Sequence, residues 1–355
     1  SGEGHRVLFL CRNVERGRTL AERIRREGVP EVAFIEASNS FHPLSYLQDL
    51  MYLRRLARER SVDIIHLHRG VEHWLAALAW PFGGAPSIVR SRHILEPVKN
   101  HLFNRWLYLR GTDSVIPVCE KILLGYQRLG PFPLEKFSVV MGGVDSASYR
   151  PSDNGASFRT EWGISPQAWV VGVAGSLRMW MKGQDILLRA AARLGHEGKE
   201  PPWMVFIGKG EDLDNLKALS SALGLGDRAV FPGYVEKLAA AFAACDVLAF
   251  PSRRSEGTSR VLFEYLAAGR PVVASRVGCV EEIVRDGMEG ILVPADDEAA
   301  LAGALASLKE EPQAARKMGE LARRRAKEEF DRRVMARRTV EIYRETVRSR
   351  RGLAQ

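Results

Sequence analysis

Two hydrophobic rhythms alternate along the chain. Short apolar runs rich in β-branched residues recur between longer stretches whose apolar positions return every three or four residues. The first rhythm reads as buried strand, the second as amphipathic helix. In the first part, strands are expected at Arg6 to Cys11, Glu31 to Glu36, Asp63 to His68, Ser87 to Ser91, Val115 to Val118 and Phe137 to Met141. Helices are expected at Thr19 to Glu27, Leu44 to Arg60, after His68 through Trp80, and at Lys121 to Leu129. Residues 142–157 are rich in Gly, Ser, Asp and Pro and read as a linker. Strands resume at Trp169 to Ala174, Val205 to Ile207, Ala229 to Phe231, Val247 to Phe250, Val272 to Ala274 and Gly290 to Val293, each followed by a turn or helix. An Arg-rich helix, Asp331 to Arg350, closes the series. The pattern predicts an α/β chain with two doubly wound parallel sheets facing a cleft, and ligands at the carboxyl ends of strands.

Composition narrows this picture. A length of 355 residues suits two cores, and 46% hydrophobic with 27% charged residues suits a soluble globular chain. The cysteines Cys11, Cys119, Cys245 and Cys279 are scattered and are expected to be reduced thiols in a cytoplasmic protein. No apolar run reaches the ~20 residues of a membrane span, and the first residues carry no signal-peptide core. Residues 1–150 hold 21 basic and 15 acidic side chains, and 316–355 hold 14 and 6, while 151–315 are net acidic. A basic flank suggests an anionic partner, with an anionic membrane surface or phosphorylated lipid as one expectation. Nucleic acid is not expected, since stacking aromatics do not interleave with the basic residues.

The chemistry concentrates in residues 251–275, PSRRSEGTSRVLFEYLAAGRPVVAS. This reads as strand end, Gly-bearing loop, helix, Gly stop and new strand. Thr258 and Ser259 suit a helix N-cap, Val261, Leu262, Tyr265 and Leu266 give the helix an apolar face, and Gly269 with Pro271 ends it. Glu256 lies in the loop and Glu264 on the helix, eight residues on. A carboxylate for each sugar and a helix N-terminus for the diphosphate between them would hold a sugar nucleotide. The bland alternative is an ordinary helix–strand junction with two solvated acids.

The stretch resembles the E-x7-E signature of the retaining GT-B glycosyltransferases of family 4, with Ser259 where a second loop Gly is usual. Other segments extend the resemblance over most of residues 139–330. VGVAGSLRMWMKG, residues 171–183, is similar to the family's phosphate-binding strand and turn. There Ser176 holds the usual Arg position, Arg178 is a substitute for it, and Lys182 precedes Gly183. VFIGKG, ending at Gly208 to Gly210, FPGYV with Tyr234 and Val235, DVLAFPS and Gly143-Val144-Asp145 also match. The resemblance implies two Rossmann-like domains. Residues 1–145 would bind acceptor, 146–330 would bind a nucleotide-sugar such as a UDP- or GDP-sugar, and 331–355 would pack back on the first domain.

It also implies roles. Glu264 would accept from ribose hydroxyls, and Glu256 would hold the transferred sugar near its reacting carbon. Gly175, Ser176, Gly208, Gly257, Thr258 and the amides of Ser259, Arg260 and Val261 would line the diphosphate, with Lys182 and Arg178 as its cations. His93, in IVRSRHILEP, resembles the family's His near the reacting carbon. Gly17, Arg18, His68, Arg69 and Arg92 are candidates for binding the acceptor or its phosphate; Arg16 and Arg90 would add to a basic rim. No metal or cofactor is called for. The implied activity is sugar transfer with retention to a glycan or glycolipid acceptor, in lipopolysaccharide or surface-glycan synthesis at the inner face of the membrane. A nucleotide-sugar epimerase, a small-molecule glycosyltransferase or an inactive sugar-nucleotide-binding protein are the alternatives.

Overall fold

The computed structural model describes residues 5–29, 31–36, 43–81, 86–127, 132–149, 155–254 and 257–352. Eleven strands are assigned among them: β1 Leu8–Arg12, β2 Glu31–Ile35, β3 Ile64–Leu67, β4 Ser87–Arg92, β5 Ser114–Pro117, β6 Val170–Ala174, β7 Trp203–Ile207, β8 Ala229–Gly233, β9 Val247–Phe250, β10 Val272–Ser275 and β11 Gly290–Val293. Every ladder between them is parallel.

The later strands form one six-stranded sheet in the order β11-β10-β9-β6-β7-β8. Its side chains alternate strictly. Val170, Leu248, Phe250, Val272 and Ala274 enter a core with the helices Arg260–Ala268 and Pro312–Glu328. Val171, Val173, Val247, Ala249 and Val273 enter a second core with Gln184–His196 and Glu298–Glu310. Burial on both faces explains why these strands are short apolar runs without polar alternation.

The first half departs from the expected single sheet. β1 and β2 pair with each other, and β3-β4-β5 form a separate ladder. β1 is not a buried strand: Cys11 is buried, but Phe9 is 38% exposed. The Phe137 to Met141 run is not a strand. It lies along β5 through an isolated bridge and the Ser138 and Val140 amides. A helix absent from the sequence reading, Leu102–Leu109, joins β4 to β5, and a short one, Ala156–Glu161, begins inside the expected linker.

The terminal helix, Arg332–Gly352, does return to the first half. Ile342 packs with Val89, Ile116 and Val140, the Thr346 hydroxyl lies 2.7 Å from that of Ser114, and Arg350 pairs with Asp113 at 3.2 Å. The two chain crossings run together, with Val144 donating to the Phe330 carbonyl and Arg332 to that of Val144.

Candidate functional site

Strand order reverses between β6 and β9, and the loops leaving their carboxyl ends are those the sequence singled out. After β6, the Gly175 amide donates to the Ile207 carbonyl and the Leu177 amide to that of Lys209. A Cβ on Gly208 would stand 1.9 Å from the Gly175 oxygen, and its φ is +142°, so only Gly lets these two turns touch. The result is a backbone floor. Ser176 gives its carbonyl to Gln184. Arg178 is half exposed, 3.6 Å from Glu211. Lys182 ends the short helix Met179–Lys182, its Nζ 5.9 Å from the Phe250 ring centroid, which brings it to the end of β9. Two anchors here escaped the sequence reading. Arg253 forks onto both Asp185 oxygens at 2.6 and 2.8 Å and reaches Asp296. Asp212, in an Asp-x-Asp run with Asp214, accepts from the Met179 amide at 2.8 Å. Both fix the loops rather than face a ligand.

Glu256 lies outside the described residues. From Gly257 onward the chain enters the helix Arg260–Ala268, stopped by Gly269 in the left-handed region as its sequence predicts. Ser259 is the N-cap residue, but its side chain makes no capping bond, and Thr258 precedes the cap. The helix is pinned by Tyr265, fully buried, whose hydroxyl accepts from the Ala174 amide at 2.6 Å. That bond ties the helix to the last residue of β6. Glu264 is half buried; desolvation raises its carboxyl, and Arg260 opposes the shift. Val261 and Val235 pack on the core. Tyr234 is 73% exposed, a ring open for stacking.

The first half brings three imidazoles together. His66 on β3 and His68, one residue past its end, have ring centroids 4.5 Å apart. His68 Nδ1 lies 3.0 Å from His93 Nε2. His66 lies 2.7 Å from Ser91 Oγ and 2.5 Å from the Tyr343 hydroxyl. Burial, then mutual repulsion and Arg90, lower His66 to about 3 and His93 to about 4; burial and Arg90 lower His68. All three are therefore neutral near pH 7. His93 also meets the acid loop: a Cβ on Gly257 would stand 2.0 Å from the His93 carbonyl oxygen.

The basic rim is less regular than expected. Gly17 is in the first turn of the helix Glu15–Arg26, with a Cβ position 1.9 Å from the Arg12 oxygen, so close backbone packing requires Gly there. Arg18 is held by Asn13 Oδ1. Arg69 starts the helix Gly70–Ala79 and pairs with Glu72 at 3.8 Å. Arg92 donates to the Glu96 carbonyl. Arg90 is 4% exposed, with Nε and Nη1 lacking a hydrogen-bond partner among the described residues, and does not belong to the rim.

One further tie joins the halves. Cys119 and Cys279, expected to be separate thiols, are disulfide-bonded; Cys11 and Cys245 are buried and free. Beside them the Glu282 carboxylate accepts from the Glu120 and Lys121 amides at 2.7 and 3.0 Å, and Lys121 Nζ donates to the Gly278 carbonyl. Cys119, Cys279 and Glu282 form a cluster of metal-ligand type, but the sulfurs are spent on each other and the carboxylate on a helix N-terminus.

The Glycosyl transferases group 1 family matches residues 156–325, and Glycosyltransferase Family 4 matches residues 1–148. A D-inositol 3-phosphate glycosyltransferase of Stackebrandtia nassauensis is 34% identical over 278 residues, 69% of this chain and 60% of that protein. One from Streptomyces scabiei is 32% identical over 81% of this chain and 68% of its own length. The structure of Anabaena HepE in complex with UDP and glucose superposes with a TM-score of 0.74 at 25% identity, covering 90% of this chain and 88% of that one. This chain thus spans about 60% of the length of the first of these relatives.

Proposed function

The chain belongs to the family 4 glycosyltransferases, and on that ground we propose that it transfers a sugar from a nucleotide-sugar to an acceptor hydroxyl with retention. The observation that carries the proposal is the convergence at the β6/β9 switch point: an amide floor, Lys182, a helix N-terminus and half-buried Glu264, with His93 against the same loop. Glu264 takes the ribose, Tyr234 lies against the base, and Glu256 holds the moving sugar. The amides of 259–261, Lys182 and Arg178 stabilise the diphosphate as charge builds on it. The leaving phosphate accepts the acceptor's proton on the same face, so no protein nucleophile and no metal is needed. His93, neutral, donates a hydrogen bond near the reacting carbon. A UDP-sugar is the first donor to test, since HepE binds UDP and glucose.

Residues 1–145 present the acceptor and 146–330 the donor. Arg69 and Arg92 favour an acceptor with phosphate. The relatives' name, D-inositol 3-phosphate glycosyltransferase, favours a small phosphorylated polyol over a surface glycan. Attachment to an anionic membrane surface is supported by the helix Pro43–Glu59, where exposed Leu44, Leu47 and Met51 precede exposed Arg54, Arg55 and Arg58 along one face. Flotation with anionic vesicles at low salt tests that part.

The central test is a thermal-shift panel of nucleotide-sugars, then transfer to polyol phosphates with the product anomer read by NMR. A matching donor raises Tm, Glu264→Gln and Lys182→Ala abolish the shift, and a chelator leaves turnover unchanged. An epimerised donor, or variants that bind and turn over like wild type, would reject the assignment.

A further inference from the structure

We propose that Tyr343, on the terminal helix, is a positioning residue for His93, acting through His66 and His68. The proposal rests on the role given to His93 above. Both nitrogens of His66 are engaged, Nδ1 by the Tyr343 hydroxyl at 2.5 Å and Nε2 by Ser91 Oγ at 2.7 Å. A neutral imidazole must donate at one nitrogen and accept at the other, and two hydroxyls can satisfy either tautomer. The ring therefore can neither turn nor be left with an unpaired buried nitrogen. It is the wall on which His68 rests, at 4.5 Å between centroids and 32° between planes. His68 in turn places Nδ1 3.0 Å from His93 Nε2, which leaves His93 Nδ1 as the nitrogen for a ligand. In that pair one nitrogen donates and the other accepts, so His93 can donate from Nδ1 only while His68 stays within reach and donates its own Nδ1 proton to His93 Nε2.

The groups facing this chain of rings are Arg90 from β4, Ser91 beside it and Tyr343 from the terminal helix. Tyr343 also meets His66 edge-on, with centroids 5.5 Å apart at 85°. Tyr343→Phe keeps that contact and removes only the hydroxyl. His66 Nδ1 then loses its partner, and the wall behind His68 is free to turn.

The test uses the full chain with 15N-labelled histidine. In wild type, His93 is expected in one neutral tautomer; in Tyr343→Phe its two tautomers mix. With the donor and acceptor identified as above, kcat falls about tenfold and the donor KM holds, while Tm falls by a few degrees because His66 Nδ1 is left unpaired. A ~1.4 kcal/mol change corresponds to that factor. Thr346→Val removes a different tie of the same helix, to Ser114, and should leave kcat unchanged, which separates a loosened helix from a lost hydroxyl. In a His93→Ala background, Tyr343→Phe should have no further effect on kcat. Unchanged His93 tautomers in Tyr343→Phe, or an equal drop in the His93→Ala background, overturns the proposal. If no donor is turned over by wild type, the assigned reaction fails, and the tautomer measurement still decides the positioning role.

Discussion

Gly257→Ala is the most direct probe of how the two halves meet. The added Cβ would stand 2.0 Å from the His93 carbonyl oxygen, where real Cβ contacts do not fall below 3.0 Å. One of the two backbones must therefore retreat by roughly 1 Å, a displacement able to cost ~100-fold in rate when it separates reacting groups. The site is asymmetric in a useful way. The atoms nearest the added methyl belong to His93 and Ile94 of the first half, so retreat there should weaken UDP binding by less than threefold, about 0.6 kcal/mol. The loss should fall on kcat. The control is Gly303→Ala in the helix Glu298–Glu310, where the added methyl meets nothing within 4 Å and helix propensity favours Ala by ~1 kcal/mol. Calorimetric titration with UDP, steady-state transfer and thermal unfolding on both variants complete the experiment. A Gly257→Ala enzyme with wild-type kcat would mean that His93 and the acid loop do not meet during catalysis.

Three further outcomes are expected. Tyr265→Phe leaves the buried Ala174 amide unpaired and should cost about 1–3 kcal/mol of stability, with weaker nucleotide binding; an unchanged urea midpoint would contradict the bond. The Cys119–Cys279 link closes a span of 160 residues, worth up to ~5 kcal/mol in the chain-entropy view, so Cys119→Ser with Cys279→Ser, or reductant on wild type, should lower Tm by several degrees. Four free thiols in unreduced protein would refute it. His73 is 1% exposed, and burial lowers it to about 3. Its folded pKa lies below the unfolded ~6.5, so the unfolded chain binds the proton first. The stability this group contributes is complete above ~6.5 and is lost as pH falls toward 3, by about 2 kcal/mol at pH 5. His73→Gln should flatten the fall of Tm between pH 7 and 5, and an unchanged slope would exclude His73 as its source.

The second half was legible because its signals are local. Its strands are buried on both faces, so each appears as an apolar run bounded by turn residues, and the alternation into two cores needs no long-range knowledge. The elements proposed to bind donor are equally compact: one Gly turn with Lys182, and one loop-helix unit stopped by Gly269. The first half carries weaker signals for a physical reason. β1 is partly exposed, its sheet is broken into two ladders, and the helix Leu102–Leu109 is too short to show a period. Pairings set by tertiary contact left no trace in the local pattern. Cys119 and Cys279 are 160 residues apart, and His66 and Tyr343 are 277 apart.

Arg90 marks where a local rule stops. Arg90 and Arg92 are two apart on β4, so alternation places both on one face of the sheet, and a basic rim is the natural reading. The rule fixes the face but not the depth. Arg92 stands where the strand gives way to a loop and finds the Glu96 carbonyl. Arg90, one turn of the pleat deeper, is 4% exposed, and burial lowers its pKa. A guanidinium whose Nε and Nη1 find no partner among the described residues is costly there, and its field reaches His66, His68 and His93. Its effect on the site is therefore exerted from below: a buried positive charge that disfavours protonation of three imidazoles and so favours the neutral His93 that the proposed transfer uses.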